Sequence, residues 1–246
     1  MSWDPQQYNR FAAEREQPFW DLAALVQAVP GAHVVDLGCG DGRLTAALHE
    51  RLCAASTLGI DSSPAMLAAA PTDVDGVTFT PGDISTWIGQ RYDVVFANAA
   101  LQWVADHPSV LRRWRDSLAP GGQLAVQVPA NADHPSHTVL AELAGDDAPP
   151  DPVATNVLQP ERYADLLHSL GFTEQHVRLQ VYGHVLDSSA DVVEWVKGTS
   201  LTRLGDRGRD PAFVDEYRRR LLDVVGDVSP YFYAFKRILL WGRLPV

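Results

Sequence analysis

The sequence predicts an α/β fold, a Rossmann-like doubly wound seven-stranded mixed sheet with a helical cap. Two observations indicate this fold class. From about residue 30 to 130, short apolar segments alternate with helical segments, which is typical of a parallel sheet with helices on both faces. The first apolar segment, Val34–Leu37, also stops at a glycine-rich loop that leads directly into a helical segment.

The elements of the first half follow from apolar runs and helix-start residues. Asp4 and Pro5 favour a helix start, and Pro18 favours the start of a second helix that ends near Pro30. We predict strands at 34–37, 57–60, 77–80, 92–97 and 123–128, helices at 44–52, 63–70 and 109–118, and a turn at 120–122.

The pattern is weaker beyond Pro129. We predict a loop at 146–152, a helix at 160–170, a strand at 172–182, mostly helix at 189–226 and a final edge strand at 231–244. We expect one domain of residues 1–246, with a core sheet at about 30–182 and 231–244, an N-terminal lid at 1–28 and a helical cap insert at about 183–230.

Composition narrows the functional class. The 246 residues are 46% hydrophobic, which suffices for a substantial core, and the net charge of −11 disfavours a general nucleic-acid binder. The two cysteines, Cys39 and Cys53, provide no disulfide framework. No signal peptide or membrane-spanning run is recognisable, so we expect a soluble cytoplasmic protein. Residues 197–246 hold ten bases against six acids, which leaves a local excess of positive charge.

The glycine loop is the main functional signal. Gly38, Gly40 and Gly42 lack a Cβ atom, so the backbone can turn tightly and approach a ligand closely. Arg43 stands where a dinucleotide-binding loop has glycine or alanine. Asp36, at the end of the strand, would repel a pyrophosphate and attract a ligand with a positive ammonium and a positive sulfonium. The loop therefore favours S-adenosylmethionine over NAD.

Acids at the ends of the next two strands extend this signal. Asp61 follows Gly40 by 21 residues, where a carboxylate can accept hydrogen bonds from both ribose hydroxyls. Asp83 and Ile84 follow the third strand, where they can bind the adenine amino group and pack on its ring. A single aspartate there would more often be a helix cap, but three after consecutive strands indicate a site.

Residues 34–45, 59–61, 82–84, 96–103 and 118–128 resemble the ordered motifs of class I S-adenosylmethionine-dependent methyltransferases. A closer resemblance, to the trans-aconitate methyltransferase family, rests on residues 3–11, 59–66 and 96–103 with Asp106 and His107, and extends to 124–129 and 194–196. It weakens from about residue 140 to 185 and in the tail. The resemblance implies S-adenosylmethionine as cofactor, with S-adenosylhomocysteine as its product.

The resemblance also implies the cofactor contacts. These are Asp36, Gly38, Gly40, Asp61, Ser62, Met66, Asp83, Ile84, Asn98 and Ala99, although Met66 fits the core equally well. Arg15 or Arg10 in the N-terminal lid would pair with the methionine carboxylate, or lie on a solvated helix face.

A carboxylate nucleophile is already ionised near neutral pH, so methyl transfer to it needs no general base and we assign no catalytic acid or base. The remaining carboxylates of a polyacid need cations and hydrogen-bond donors. No carboxylate or cysteine completes a metal site with His134 and His137, and Pro135 disrupts a helix, so we expect no metal. The substrate-binding candidates are Tyr8, Gln102, Trp103, His137, Thr199, Arg203 and Arg237.

The sequence therefore predicts an enzyme that forms a monomethyl ester on one carboxylate of a small polyacid, with trans-aconitate as the substrate that the resemblance implies. The partners expected are a small anionic acid, no nucleic acid and no membrane. Three alternatives stay open: an O-methyltransferase acting on malonyl acyl carrier protein, a nucleotide-binding oxidoreductase, and a silent S-adenosylmethionine-binding regulatory protein.

Overall fold

The computed structural model describes residues 12–27, 29–197 and 200–246, with the backbone alone for 12–15. Its helices are α1 (Ala12–Ala23), α2 (Arg43–Leu52), α3 (Pro64–Leu67), α4 (His107–Asp116), α5 (Pro135–Ala144), α6 (Pro152–Asn156), α7 (Pro160–Ser169), α8 (Asp191–Lys197) and α9 (Pro211–Val225). Its strands are β1 (His33–Leu37), β2 (Ser56–Asp61), β3 (Val77–Pro81), β4 (Tyr92–Asn98), β5 (Leu118–Pro129), β6 (Glu174–Leu186) and β7 (Tyr231–Arg243).

The strands form one seven-stranded sheet in the order β3-β2-β1-β4-β5-β7-β6. The pairs β1–β2, β1–β4, β2–β3 and β4–β5 are parallel. Chain order reverses between β1 and β4, and the crevice at such a reversal, outside the carboxyl ends of the strands, is where open α/β sheets bind ligands. This architecture confirms the predicted fold class.

The chain folds into two compact units. The first, here called the core unit, comprises residues 18–129, 156–180 and 238–246. The second unit comprises 130–155 and 181–237 with the described residues 12–17, so β6 and β7 contribute residues to both. The predicted cap insert at 183–230 falls within the second unit, which also takes in residues 130–155.

Helices of the core unit bury faces that the sequence spacing dictates. In α2, Thr45, Leu48 and Leu52 are buried at spacings of three and four residues, which places them on one side of the helix. In α4, Val110 and Trp114 are fully buried in the same way. In the second unit, buried aromatic side chains form a separate core, in which the rings of Trp195 and Tyr233 lie 5.6 Å apart.

Three predicted elements were wrong. Pro18 lies inside α1 rather than at the start of a second helix. The predicted turn at 120–122 lies within β5, because Gly121 N–H donates to the Pro245 carbonyl and Gly122 accepts from Leu244 N–H. Strand β7 is not an edge strand but lies between β5 and β6. The predicted helix at 63–70 is also shorter and ends at Leu67.

Within the described residues, no helix is both long enough and apolar enough to cross a membrane.

Candidate cofactor and substrate sites

The glycine loop after β1 is held against the end of β2 by backbone hydrogen bonds. The N–H groups of Gly38 and Cys39 both donate to the Ile60 carbonyl, at 2.7 and 3.0 Å. Gly40 N–H donates to Asp61 Oδ2 at 3.0 Å. The loop and the acid predicted to bind the ribose are therefore parts of one hydrogen-bonded unit.

Gly38 is required by both conformation and space. Its φ is +84°, in the region that favours glycine, and a Cβ atom there would lie 2.3 Å from Ala100 Cβ. At Gly40, with φ +59°, a Cβ atom would lie 3.3 Å from Cε of the half-buried Met66. The absence of these two Cβ atoms lets the loop backbone pass close to the turn after β4 and to α3.

Asp36 at the end of β1 is buried, and Thr45 Oγ1 donates to its Oδ2 at 2.6 Å. Burial raises the pKa of Asp36 to about 7, the hydrogen bond from Thr45 opposes this rise, and the charge of Asp61 adds to it. A cation placed beside Asp36 would favour the ionised carboxylate. The buried acid is thus suited to a positively charged ligand rather than to a phosphate.

Asp61 at the end of β2 uses each carboxylate oxygen once. Oδ2 accepts from Gly40 N–H and Oδ1 accepts from Ser63 N–H at 2.8 Å. An ionised carboxylate can accept about four hydrogen bonds, so both oxygens retain capacity for ligand hydroxyls. The neighbouring Ser62 is exposed.

After β3, Asp83 is exposed, and its Oδ1 accepts from Ser85 N–H at 2.8 Å. Hydrogen bonds from Ser85 hold the pKa of Asp83 below its ordinary value, so this carboxylate is ionised near neutral pH. Ile84 is half-buried, and its carbonyl accepts from the indole N–H of Trp114 at 3.1 Å. The position predicted to contact adenine is therefore anchored to α4.

The turn after β4 presents two buried acceptors. Asn98 Oδ1 and Gln102 Oε1 are both buried and have no hydrogen-bond partner among the described residues. The Gln102 amide is oriented by Nε2, which donates to the Ala99 carbonyl at 2.6 Å. Ala99 has a φ of +53°, which is uncommon for a residue with a Cβ atom. Trp103 is partly exposed, at 39%.

A buried histidine, His107, anchors this turn through hydrogen bonds. His107 Nε2 pairs with the Leu101 carbonyl at 2.9 Å, and His107 Nδ1 pairs with Tyr163 Oη at 2.7 Å. Burial lowers the pKa of His107, so the ring is neutral near pH 7, with Nε2–H donating to Leu101 and Nδ1 accepting from Tyr163. Asn156 Nδ2 also donates to the Gln102 carbonyl at 2.9 Å. Sequence reasoning did not find Tyr163 or Asn156, which lie far along the chain.

These residues fit S-adenosylmethionine. The missing Cβ atom at Gly40 lets a ligand approach the loop backbone, Asp36 offers a buried carboxylate for a cation, and the orphaned Asn98 Oδ1 offers an acceptor for an ammonium or amine. Together with Asp61, these residues present hydrogen-bond acceptors that suit a ligand with positive charge and hydroxyl groups.

Comparison with known proteins places the chain in a family. A family model described as a methyltransferase domain matches residues 8–177. The trans-aconitate 2-methyltransferase of Deinococcus radiodurans is 42% identical over 258 residues, covering 100% of this chain and 99% of that protein. The chain belongs to the trans-aconitate 2-methyltransferase family. The trans-aconitate 2-methyltransferase of Streptomyces avermitilis is 41% identical over 95% of each chain.

Solved structures agree on the fold. The YcgJ protein of Bacillus subtilis superposes with a TM-score of 0.65 at 15% identity, over 94% of this chain and 99% of that one. A methyltransferase described as putative from Bacillus halodurans gives a TM-score of 0.62 at 15% identity, over 94% and 100%. Membership in the trans-aconitate 2-methyltransferase family and this fold confirm the resemblance found in the sequence.

In the second unit of this methyltransferase, the structure corrects one prediction. Pro135 does not disrupt a helix but is the first residue of α5, and His134 caps that helix by accepting from Ser136 N–H at 3.1 Å. His137 also has a carboxylate partner, because its Nδ1 lies 2.6 Å from Asp151 Oδ2. The described residues nevertheless contain no group of three or more histidine, cysteine, aspartate or glutamate side chains suited to a metal.

The basic residues of the tail divide into two groups. Arg219 and Arg220 are exposed on α9 and pair with Glu216, at 2.8 and 2.6 Å, as expected of a solvated helix face. Arg203 and Arg237, in contrast, are buried, at 8% and 6% exposure. The guanidinium of Arg237 lies over the ring of Phe235, 4.9 Å from its centroid.

Three predicted site residues have no described side chain, and the roles of all the predicted site residues stay predictions. Tyr8 and Thr199 lie outside the described residues, and so does the side chain of Arg15. Of the substrate candidates that the structure describes, Gln102 and Trp103 belong to the core unit, and His137, Arg203 and Arg237 belong to the second unit.

Proposed function

We propose that the protein transfers the methyl group of S-adenosylmethionine to one carboxylate of trans-aconitate, which yields a monomethyl ester and S-adenosylhomocysteine. The observation that carries this proposal is the 42% identity to the Deinococcus radiodurans trans-aconitate 2-methyltransferase along the whole chain. The acid-flanked glycine loop supports the same cofactor, since Asp36 and Asp61 suit a cationic nucleoside and not a pyrophosphate.

Within this proposal, the residues of the core unit have distinct tasks. Asp36 attracts the positive charge of the cofactor, and Asp61 accepts hydrogen bonds from its ribose while it fixes Gly40. Asn98 Oδ1 accepts from the amino group of the cofactor. When bound, S-adenosylmethionine supplies a methyl group whose carbon a nucleophile can attack, with the sulfonium sulfur as the leaving group.

The acid substrate supplies the nucleophile. A carboxylate is ionised near neutral pH, so the protein needs to hold it in line with the methyl group at about 3 Å rather than remove a proton from it. Gln102, whose amide is oriented by Ala99, and Trp103 are proposed to contact the acid from the turn after β4. The protein thus contributes orientation and exclusion of water.

Incubation of the purified protein with S-adenosylmethionine and trans-aconitate tests the proposal. We expect equimolar formation of trans-aconitate monomethyl ester and S-adenosylhomocysteine, identified by mass spectrometry. Malonyl acyl carrier protein serves as the competing substrate, and we expect no ester on it. S-adenosylhomocysteine formation with malonyl acyl carrier protein but not with trans-aconitate would replace the proposed substrate. Cofactor binding without turnover of either acid would indicate a regulatory protein.

A further inference from the structure

His137, Asp151 and Arg203 form a buried polar cluster in the second unit, and Asp151 was not among the residues found by sequence reasoning. Their exposed fractions are 6%, 9% and 8%. His137 lies in the first turn of α5, Asp151 directly precedes α6, and Arg203 lies in a short 3₁₀ helix, Thr202–Leu204. Three chain segments thus converge on a group of side chains that are seldom buried unless they are paired.

Asp151 is the centre of the cluster. It accepts from His137 Nδ1 at 2.6 Å and from Val153 N–H at 3.0 Å, and the charge of Arg203 acts on it. Burial would raise the pKa of Asp151, but these partners together hold it below its ordinary value. Asp151 is therefore an anion near neutral pH.

The bond to Asp151 orients His137. Because Nδ1–H donates to the carboxylate, Nε2 is the ring nitrogen that is left for a ligand. A protonated ring would donate from Nε2 to an anion, and the positive end of α5, where His137 lies in the first turn, favours an anion as well.

Arg203 has an unused donor. One of its terminal nitrogens donates to the Pro149 carbonyl, but its Nε is buried and has no hydrogen-bond partner among the described residues. Burying a guanidinium N–H without a partner costs free energy, which a carboxylate ligand would recover. Arg207 in the same unit differs, because it is exposed and donates to the carbonyls of Ala144 and Leu143, at 2.7 and 3.1 Å.

We propose that His137, Asp151 and Arg203 form a subsite that binds one carboxylate of the acid substrate, with Asp151 as the positioning residue for the other two. This inference rests on the proposed function. The buried Nε–H of Arg203 and the Nε2 of His137 are the groups that remain for one carboxylate. Asp151 is needed because it holds His137 in the orientation that presents Nε2.

Conservative variants test the subsite. Arg203→Lys keeps the positive charge near Asp151 but removes the planar fork and its Nε donor, and Asp151→Asn keeps the shape but removes the charge. We expect each to raise KM for trans-aconitate about tenfold or more, with KM for S-adenosylmethionine within about twofold of that of the wild type. Arg207→Lys is the matched control, for which we expect both KM values to stay unchanged. His137→Gln provides a third variant should either of the first two fail to fold.

Unchanged KM for trans-aconitate in the folded variants would overturn the subsite. A fall in kcat and in thermal stability together with a rise in both KM values would also overturn it, since this pattern indicates a cluster with a structural role only. If the wild type has no activity on trans-aconitate, the proposed function fails separately. Calorimetric titration of trans-aconitate in the presence of S-adenosylhomocysteine then decides the subsite: binding that Arg203→Lys weakens supports it, and no binding overturns it.

Discussion

The Asp36→Asn variant is expected to bind S-adenosylmethionine at least about tenfold more weakly than the wild type at pH 8, because it loses a buried negative charge beside a cationic ligand. The wild type should bind more tightly as pH rises from about 6 to 8, since a cation favours the ionised form of a carboxyl whose pKa burial raises to about 7. The affinity of the variant should not change over this range.

The same substitution is expected to stabilise the ligand-free protein at high pH. In the folded state the pKa of Asp36 is about 7, above its ordinary value of 3.8, so the folded state binds the proton more tightly than the unfolded state. The wild type therefore loses stability as pH rises from about 4 to 7, by an amount of the order of 4 kcal/mol. The asparagine variant does not lose this stability because its side chain does not ionise, and Thr45 can still donate to its amide oxygen.

Chemical unfolding at several pH values between 4 and 8 checks the effect on stability, and calorimetric titration at pH 6, 7 and 8 checks the effect on binding. Asp73→Asn serves as the control, because Asp73 is exposed. An Asp36→Asn variant that binds as tightly as the wild type at pH 8 would refute the role given to this charge.

The Gly38→Ala variant is expected to lose about 3 kcal/mol of unfolding free energy and most of its cofactor binding. A left-handed backbone costs a residue with a Cβ atom about 1–2 kcal/mol, and overpacking adds about 1–3 kcal/mol. Here the added methyl would lie 2.3 Å from Ala100 Cβ at a φ of +84°.

The Gly31→Ala variant separates the cost of backbone strain from the cost of overpacking. Gly31 has a φ of +74°, but a Cβ atom there meets nothing within 4 Å. We expect it to cost about 1–2 kcal/mol, with unchanged affinity for S-adenosylmethionine. Urea unfolding of both variants measures the difference, and equal losses of stability would show that the contact with Ala100 is unimportant.

A candidate cofactor site could be predicted from the sequence because its signals are local. A buried strand that holds an acid and is followed by glycines is a short pattern. Asp61 ends the next strand of the same alternating series, and Asp83 follows the third. In a parallel sheet, these carboxyl ends lie along one edge, so chain order alone indicates that the residues are neighbours.

Other parts of the candidate sites and of the fold depend on contacts that no local sequence pattern encodes. Asp151 meets His137 across a loop without periodicity, and Tyr163 meets His107 from 56 residues away. The place of β7 in the sheet had a signal that was missed: Ile238–Trp241 is a continuous apolar run, which favours an interior strand over an edge. In the structure these four residues are all buried.

Calorimetric titration of the ligand-free protein with S-adenosylmethionine and, separately, with NADH measures most directly which ligand the crevice beside Asp36 accepts. We expect S-adenosylmethionine to bind at one site per chain, with an affinity that increases between pH 6 and 8, and NADH to produce no binding heat. Binding of NADH, or no binding of S-adenosylmethionine at any pH in that range, would contradict the assignment of this crevice to a cationic nucleoside.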